Sequence, residues 1–159
     1  MTVTQAAPET LPAAPVPVLQ FDRAMPGLPG LYRFALVAVE EDSPVRLLRC
    51  LDVAPPGPGA PPAGRAAGPV SLVVVPAAIA TGGYVVELPD DEVAELGLQG
   101  SEDALVLLVI TPGDTPAQAT VNLMAPIVVN LRTLAAAQVL LDDVRLPVRA
   151  RLLDLLNSS

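Results

Sequence analysis

Carboxylates are the side chains of this sequence best placed to do chemistry, and their spacing decides how far that idea goes. Asp90-Asp91 and Asp142-Asp143 are adjacent pairs, and Glu40-Glu41-Asp42 is a run of three. General acid–base work needs two carboxyls in differently polarised surroundings within one cleft. Neighbours on a strand point to opposite faces, and Asp90-Asp91 open a helical pattern, so neither pair is built as a catalytic couple. The Glu40 run precedes Ser43-Pro44 and reads as a solvated turn that can also touch a partner.

Other chemistries fall on composition. Histidine and lysine are absent, and Cys50 is the one cysteine. That removes His-containing triads, His- and multi-Cys zinc sites, an internal disulfide, Schiff-base catalysis and the phosphate-loop lysine. Gly59, Gly64, Arg65 and Ala66 imitate the spacing of a phosphate-binding loop. Arg stands for its lysine, Ala for its hydroxyl, and Pro61 and Pro62 delete amide donors. Cys50 itself reads as a small core residue, with Arg46 and Arg49 nearby. No enzyme activity, cofactor or metal is expected.

One stretch resists both readings. "NLMAPIVVNLRT", residues 122–133, is apolar and β-branched, yet Pro126 interrupts it and Asn122 and Asn130 lie four residues to either side. Proline within a strand is tolerated at an edge or a bulge. Pro126 is therefore expected to bend a strand at a corner. The two asparagines then either bond the backbone freed by the bend or face a partner.

These residues must be positioned by an aliphatic core, because the apolar fraction is 52% but includes only two Phe, two Tyr and no Trp. A chain of 159 residues suits one domain. The nineteen prolines are about twice the usual share of ~5%, so part of the chain is irregular. Residues 1–17 read as a disordered Ala/Pro/Thr tail, and 54–69, almost wholly Ala, Pro and Gly, as a mobile loop insertion. Strands are expected at 18–21, 32–40, 45–53, 70–79, 84–89 and 104–111. Two more are expected at 120–133 and 138–144, with "LAAA" as the connection between them. "DDEVAELG", 90–97, is the helix signal: Asp90 can cap it, acids crowd its N-terminus, Val93 and Leu96 share a face and Gly97 can end it. Val148, Leu152 and Leu155 suggest a helical turn in the tail 148–159. The fold class is mainly β: a small antiparallel barrel or sandwich with one short helix and a C-terminal helical turn.

Net charge is −8, and residues 70–124 alone hold eight acids and no base. Direct nucleic-acid binding is thereby disfavoured and a basic partner favoured, although acidic surfaces also serve solubility. The N-terminus lacks a signal peptide's basic region, and no apolar run reaches the ~20 residues of a membrane span. A cytoplasmic protein is expected.

Several motifs together resemble the flagellar assembly factor FliW family. They are Gly27-Leu28-Pro29-Gly30-Leu31, Asp42-Ser43-Pro44, Leu48 to Asp52, "LPDDEVAELGLQGSEDALVLLVIT" and above all "NLMAPIVVN". The likeness spans 18–147 apart from the insertion. It implies a non-enzymatic β protein that binds the translational repressor CsrA and also flagellin, so that flagellin level sets how much repressor is held. Partner contacts would then fall among Glu40, Glu41, Asp42, Asp90, Asp91, Glu92, Glu95, Asn122, Asn130, Arg132 and Gln138, each with a solvated or structural role as the alternative. The sequence departs from the family pattern in places. The family's first strand gives way to the Ala/Pro tail, Val45-Arg46-Leu47 stand where aromatics are usual, and Ala136-Ala137 replace a basic-Gly pair. A divergent relative without these partners, or a small-ligand barrel with an aliphatic cavity, are the competing readings.

Overall fold

The computed structural model describes residues 2–4, 16–25, 28, 30–40, 43, 45–52, 71–80, 85–141 and 146–158. Its strands are β1 (Thr2–Thr4), β2 (Val18–Phe21), β3 (Arg33–Ala38), β4 (Arg46–Cys50), β5 (Ser71–Pro76), β6 (Val85–Glu87), β7 (Ala104–Thr111), β8 (Thr120–Val121), β9 (Ile127–Asn130), β10 (Ala135–Gln138) and β11 (Ala150–Arg151). Among the described residues, α1 (Ala77–Ala80), α2 (Asp90–Leu96) and α3 (Leu152–Ser158) are short α-helices.

Seven strands close into a barrel in the order β7-β5-β4-β3-β2-β10-β9, and β9 pairs back onto β7 to complete the ring. All contacts around it are antiparallel except β2–β10, which is parallel. The period-2 alternation of strand side chains sends Leu19, Phe21, Phe34, Leu36, Leu48, Cys50, Val74, Leu105, Leu107, Ile127 and Val129 into one buried cluster, the barrel interior. Phe21 and Phe34 meet there edge to face, with ring centroids 5.3 Å apart. A barrel of about eight strands is just wide enough for side chains to fill, and these residues fill this one. That counts against a ligand cavity of the kind an aliphatic barrel can enclose.

The opposite face of β5, β7, β9 and β10 is buried as well. Val75, Val106, Leu108, Val128 and Ala137 pack there with Val3, Val86, Leu88, Leu96 and Leu98 from a second layer. This explains the unbroken apolar run of β7: both of its faces are covered.

Three expectations are corrected. Thr2–Thr4 form a strand antiparallel to β6 and bury Val3 completely, so the first residues are an element rather than an irregular tail. The stretch read as a connection, Leu134 to Ala137, holds most of β10; alanines of low strand propensity pair because β2 and β9 flank them and Ala136 and Ala137 are buried. Pro76 ends β5, and 77–79, expected to continue the strand, belong instead to α1. Leu152–Ser158 make the expected C-terminal turn a seven-residue helix.

Candidate functional site

The motif around Pro126 resolves into a bulge. On either side of it, β8 and β9 both pair with β7: Val121 lies opposite Ile110 and Ile127 opposite Leu107. Five residues, 122–126, therefore face only Leu108 and Val109, and the excess loops out. Every amide in it has a partner. Asn122 N–H donates to the Val109 carbonyl (3.2 Å) and Leu123 N–H to Pro147 (3.1 Å). Met124 and Ala125 N–H donate to Asn122 Oδ1 at 2.9 and 3.2 Å, and Pro126 has no N–H to place. The carbonyls are met in turn: Met124 by Leu141 N–H (2.7 Å), Pro126 by Val139 N–H (2.9 Å) and Ala125 by Gln138 Nε2 (3.1 Å). Asn122 and Gln138 thus meet at Ala125 and hold the bulge's own backbone.

Asn130 works at greater depth. It is 1% exposed; its Nδ2 donates to the Leu96 carbonyl at the end of α2 (2.8 Å), and its Oδ1 accepts from Arg132 N–H (2.9 Å). Gly97 ends the helix at φ 68°, the left-handed geometry that glycine adopts without strain. The helix begins after Pro89, and Asp90 makes no capping hydrogen bond, contrary to expectation. Asp90, Asp91 and Glu92 still occupy its first turn, where the helix dipole favours anions.

A second set of polar contacts ties α2 and the 3₁₀ turn 101–103 to the barrel. Arg23, two residues past β2, donates to Glu92 Oε2 at 2.6 Å and lies 3.5 Å from Glu95. The Glu92 hydrogen bond moves the Arg23 guanidinium further toward its charged form. Arg132, in the β9–β10 turn, donates to Gln99 Oε1 at 2.7 Å and lies 3.6 Å from Asp103. The structure thus gathers Asp90, Asp91, Glu92, Glu95, Asn130 and Arg132 about one segment, places Asn122 and Gln138 together at the bulge, and leaves Glu40 apart in an exposed bend after β3. Glu41, Asp42, Asp142, Asp143 and the stretch 54–69 lie outside the described residues.

Arg23, Gln99 and Asp52 were not singled out by sequence. Asp52 accepts from the Tyr32 and Arg33 amides at 2.7 and 2.8 Å and from Arg33 Nε at 2.9 Å. Those amide bonds, then the guanidinium, hold its carboxyl below the usual carboxylate range. Cys50 is buried, with its sulfur 3.4 Å from the Asp52 amide. Among the described residues no three His, Cys, Asp or Glu side chains converge as a metal site, and no helix is long and apolar enough to cross a membrane.

The outer side of α2 and the turn after it carry exposed carboxylates: Asp90, Asp91, Glu95 and Glu102, with Glu87 exposed just before. Fold and site together define a small, side-chain-filled β-barrel with one capped flank that carries an acidic segment. The family model "FliW protein" matches residues 64–152, more than half of the chain. Flagellar assembly factor FliW of Thermosipho africanus is 25% identical over 136 residues, covering 85% of this chain and 84% of that protein. Its counterpart from Caldicellulosiruptor saccharolyticus is 27% identical over 142 residues, covering 89% and 84%. A crystal structure of the flagellar assembly factor FliW superposes with a TM-score of 0.71 at 21% identity, covering 85% of this chain and 84% of that one, a likeness of fold. The chain belongs to the FliW family.

Proposed function

We propose that this protein is a non-enzymatic, cytoplasmic regulator that acts by binding other proteins: it holds a CsrA-type translational repressor and answers to flagellin, as its family resemblance implies. The observation that carries the reading is the acidic segment of α2 and the 101–103 turn, fastened to the barrel by Asn130, Arg23 and Arg132. An RNA-binding repressor carries basic surface, and exposed carboxylates on a fixed scaffold attract such a surface and orient it. Asp90, Asp91 and Glu95 are the contacts assigned to it. Asn130 is the weakest candidate contact, since both its polar atoms bond this chain's own backbone, while Asn122 Oδ1 and Gln138 Nε2 are engaged with the bulge.

Co-purification tests the proposal. The purified protein should retain the repressor and flagellin at micromolar concentrations, and charge reversal of Asp90 and Asp91 should weaken repressor retention while the circular dichroism spectrum stays unchanged. Retention of neither partner removes the proposal and leaves a family fold without these partners, the reading that the replaced aromatics at Val45-Arg46-Leu47 favour.

A further inference from the structure

The barrel closes through an unequal set of seams. β3 and β4 share five registered pairs, whereas β2 and β10 share two, Ala135 with Gln20 and Ala136 with Phe21, in the one parallel contact. Parallel pairing is slightly weaker per residue, and these strands lie far apart along the chain, so closing them costs loop entropy. The seam also contains a conformational outlier. Leu134 has φ 64°, uncommon for a leucine, and in that geometry its carbonyl accepts from the Gln20 N–H at 3.0 Å. The second layer is fastened around this place. Arg23, just past β2, is clasped by Glu92 and Glu95; α2 packs on β10; Asn130, the last residue of β9, bonds the end of α2; and Arg132, between β9 and β10, bonds Gln99.

We propose that α2 and the 101–103 turn form a latch across the parallel β2–β10 seam, with the Arg23–Glu92/Glu95 clasp as its releasable part. Asn130 is the fixed hinge, since its bond is buried. Arg23 and Glu95 are about half exposed, with side-chain exposures of 51% and 57%, so salt or a competing cation reaches them. Releasing the clasp frees the end of β2 from α2 and lets the two-pair seam open locally while the antiparallel remainder of the barrel stays closed. The device is intramolecular and stands whether or not the partners proposed above bind.

Amide hydrogen exchange on the full chain reads it directly. The Arg23→Gln variant should exchange the Gln20 amide about threefold faster, with amides of the β3–β4 pair unchanged, and Arg23→Lys should recover most of the protection. Raising salt should accelerate the Gln20 amide in the natural protein and have little effect on it in Arg23→Gln. Equal acceleration of all amides, or an unchanged Gln20 amide in Arg23→Gln, would overturn the latch. So would a salt effect of the same size in both proteins, which would place the sensitivity elsewhere.

Discussion

Replacing Asn130 by alanine should cost this protein more than any other single polar change among its described residues. The side chain is 1% exposed and holds two groups: it donates to the Leu96 carbonyl and accepts from the Arg132 amide. The Leu96 carbonyl ends α2 against the barrel, and alanine leaves it without its side-chain donor. An unsatisfied buried group costs about 1–3 kcal/mol. Arg132 is exposed, so its amide can turn to water and adds about 0.5 kcal/mol. The vacated side-chain volume adds a small packing loss, which brings the expected total to about 2–4 kcal/mol. A domain of this size has about 5–15 kcal/mol in all, so the variant should still fold with a clearly lowered urea midpoint. Urea unfolding followed by circular dichroism would measure it, with the m-value held as a check on two-state behaviour. A loss below about 0.5 kcal/mol would refute the reasoning, since it would mean that neither bond is made, or that both groups find water at no cost.

Two further outcomes follow from the same bonds. Asn122→Ala strips the acceptor from the Met124 and Ala125 amides, which are half-buried, so it should cost less, about 1–2 kcal/mol; a urea midpoint falling further than that of Asn130→Ala would contradict this order. Asp52 has its pKa depressed in the fold, so its stabilisation is fully present above its usual 3.8 and is lost as pH falls through the lower folded value. In acid titrations of thermal stability, Asp52→Asn should be less stable than the natural protein near neutrality, and the two curves should converge as the pH drops below 3.8; curves that stay parallel into acid would show that the carboxylate has no such role.

How much of this was legible depends on whether the deciding forces are local. The strand at 104–111 was plain because a chain buried on both faces must be apolar throughout, and β7 lies between the barrel interior and the second layer. Gly97 was readable because one backbone geometry demands it. Ala135 to Ala137 was misread because alanine carries no strand signal; its state is imposed by β9 on one side and β2 on the other, and β2 lies more than a hundred residues away. The first strand has three residues and no pattern of its own, and only pairing with β6 defines it. The Arg23–Glu92 clasp joins residues 69 apart, and nothing in either neighbourhood announces it.

The two asparagines of the central motif look equivalent in sequence, four residues to either side of Pro126, and the structure separates them by what each neighbour lacks. Before the proline, the bulge has two amides with no ladder to join, and Asn122 supplies an acceptor for both. After it, the strand is regular, and the unmet group belongs to another element, the closing carbonyl of α2, so Asn130 turns outward from β9 and supplies a donor. One device lets the strand bend and the other fastens the acidic helix to it. The stretch that carries the family likeness therefore sets the position of α2 and of the exposed carboxylates on it. Changes at Asn122 or Asn130 should reach binding only through stability. Changes at Asp90 or Asp91, which are exposed and lie outside the Arg23 clasp, should leave stability nearly untouched and alter binding directly, and that division is open to measurement residue by residue.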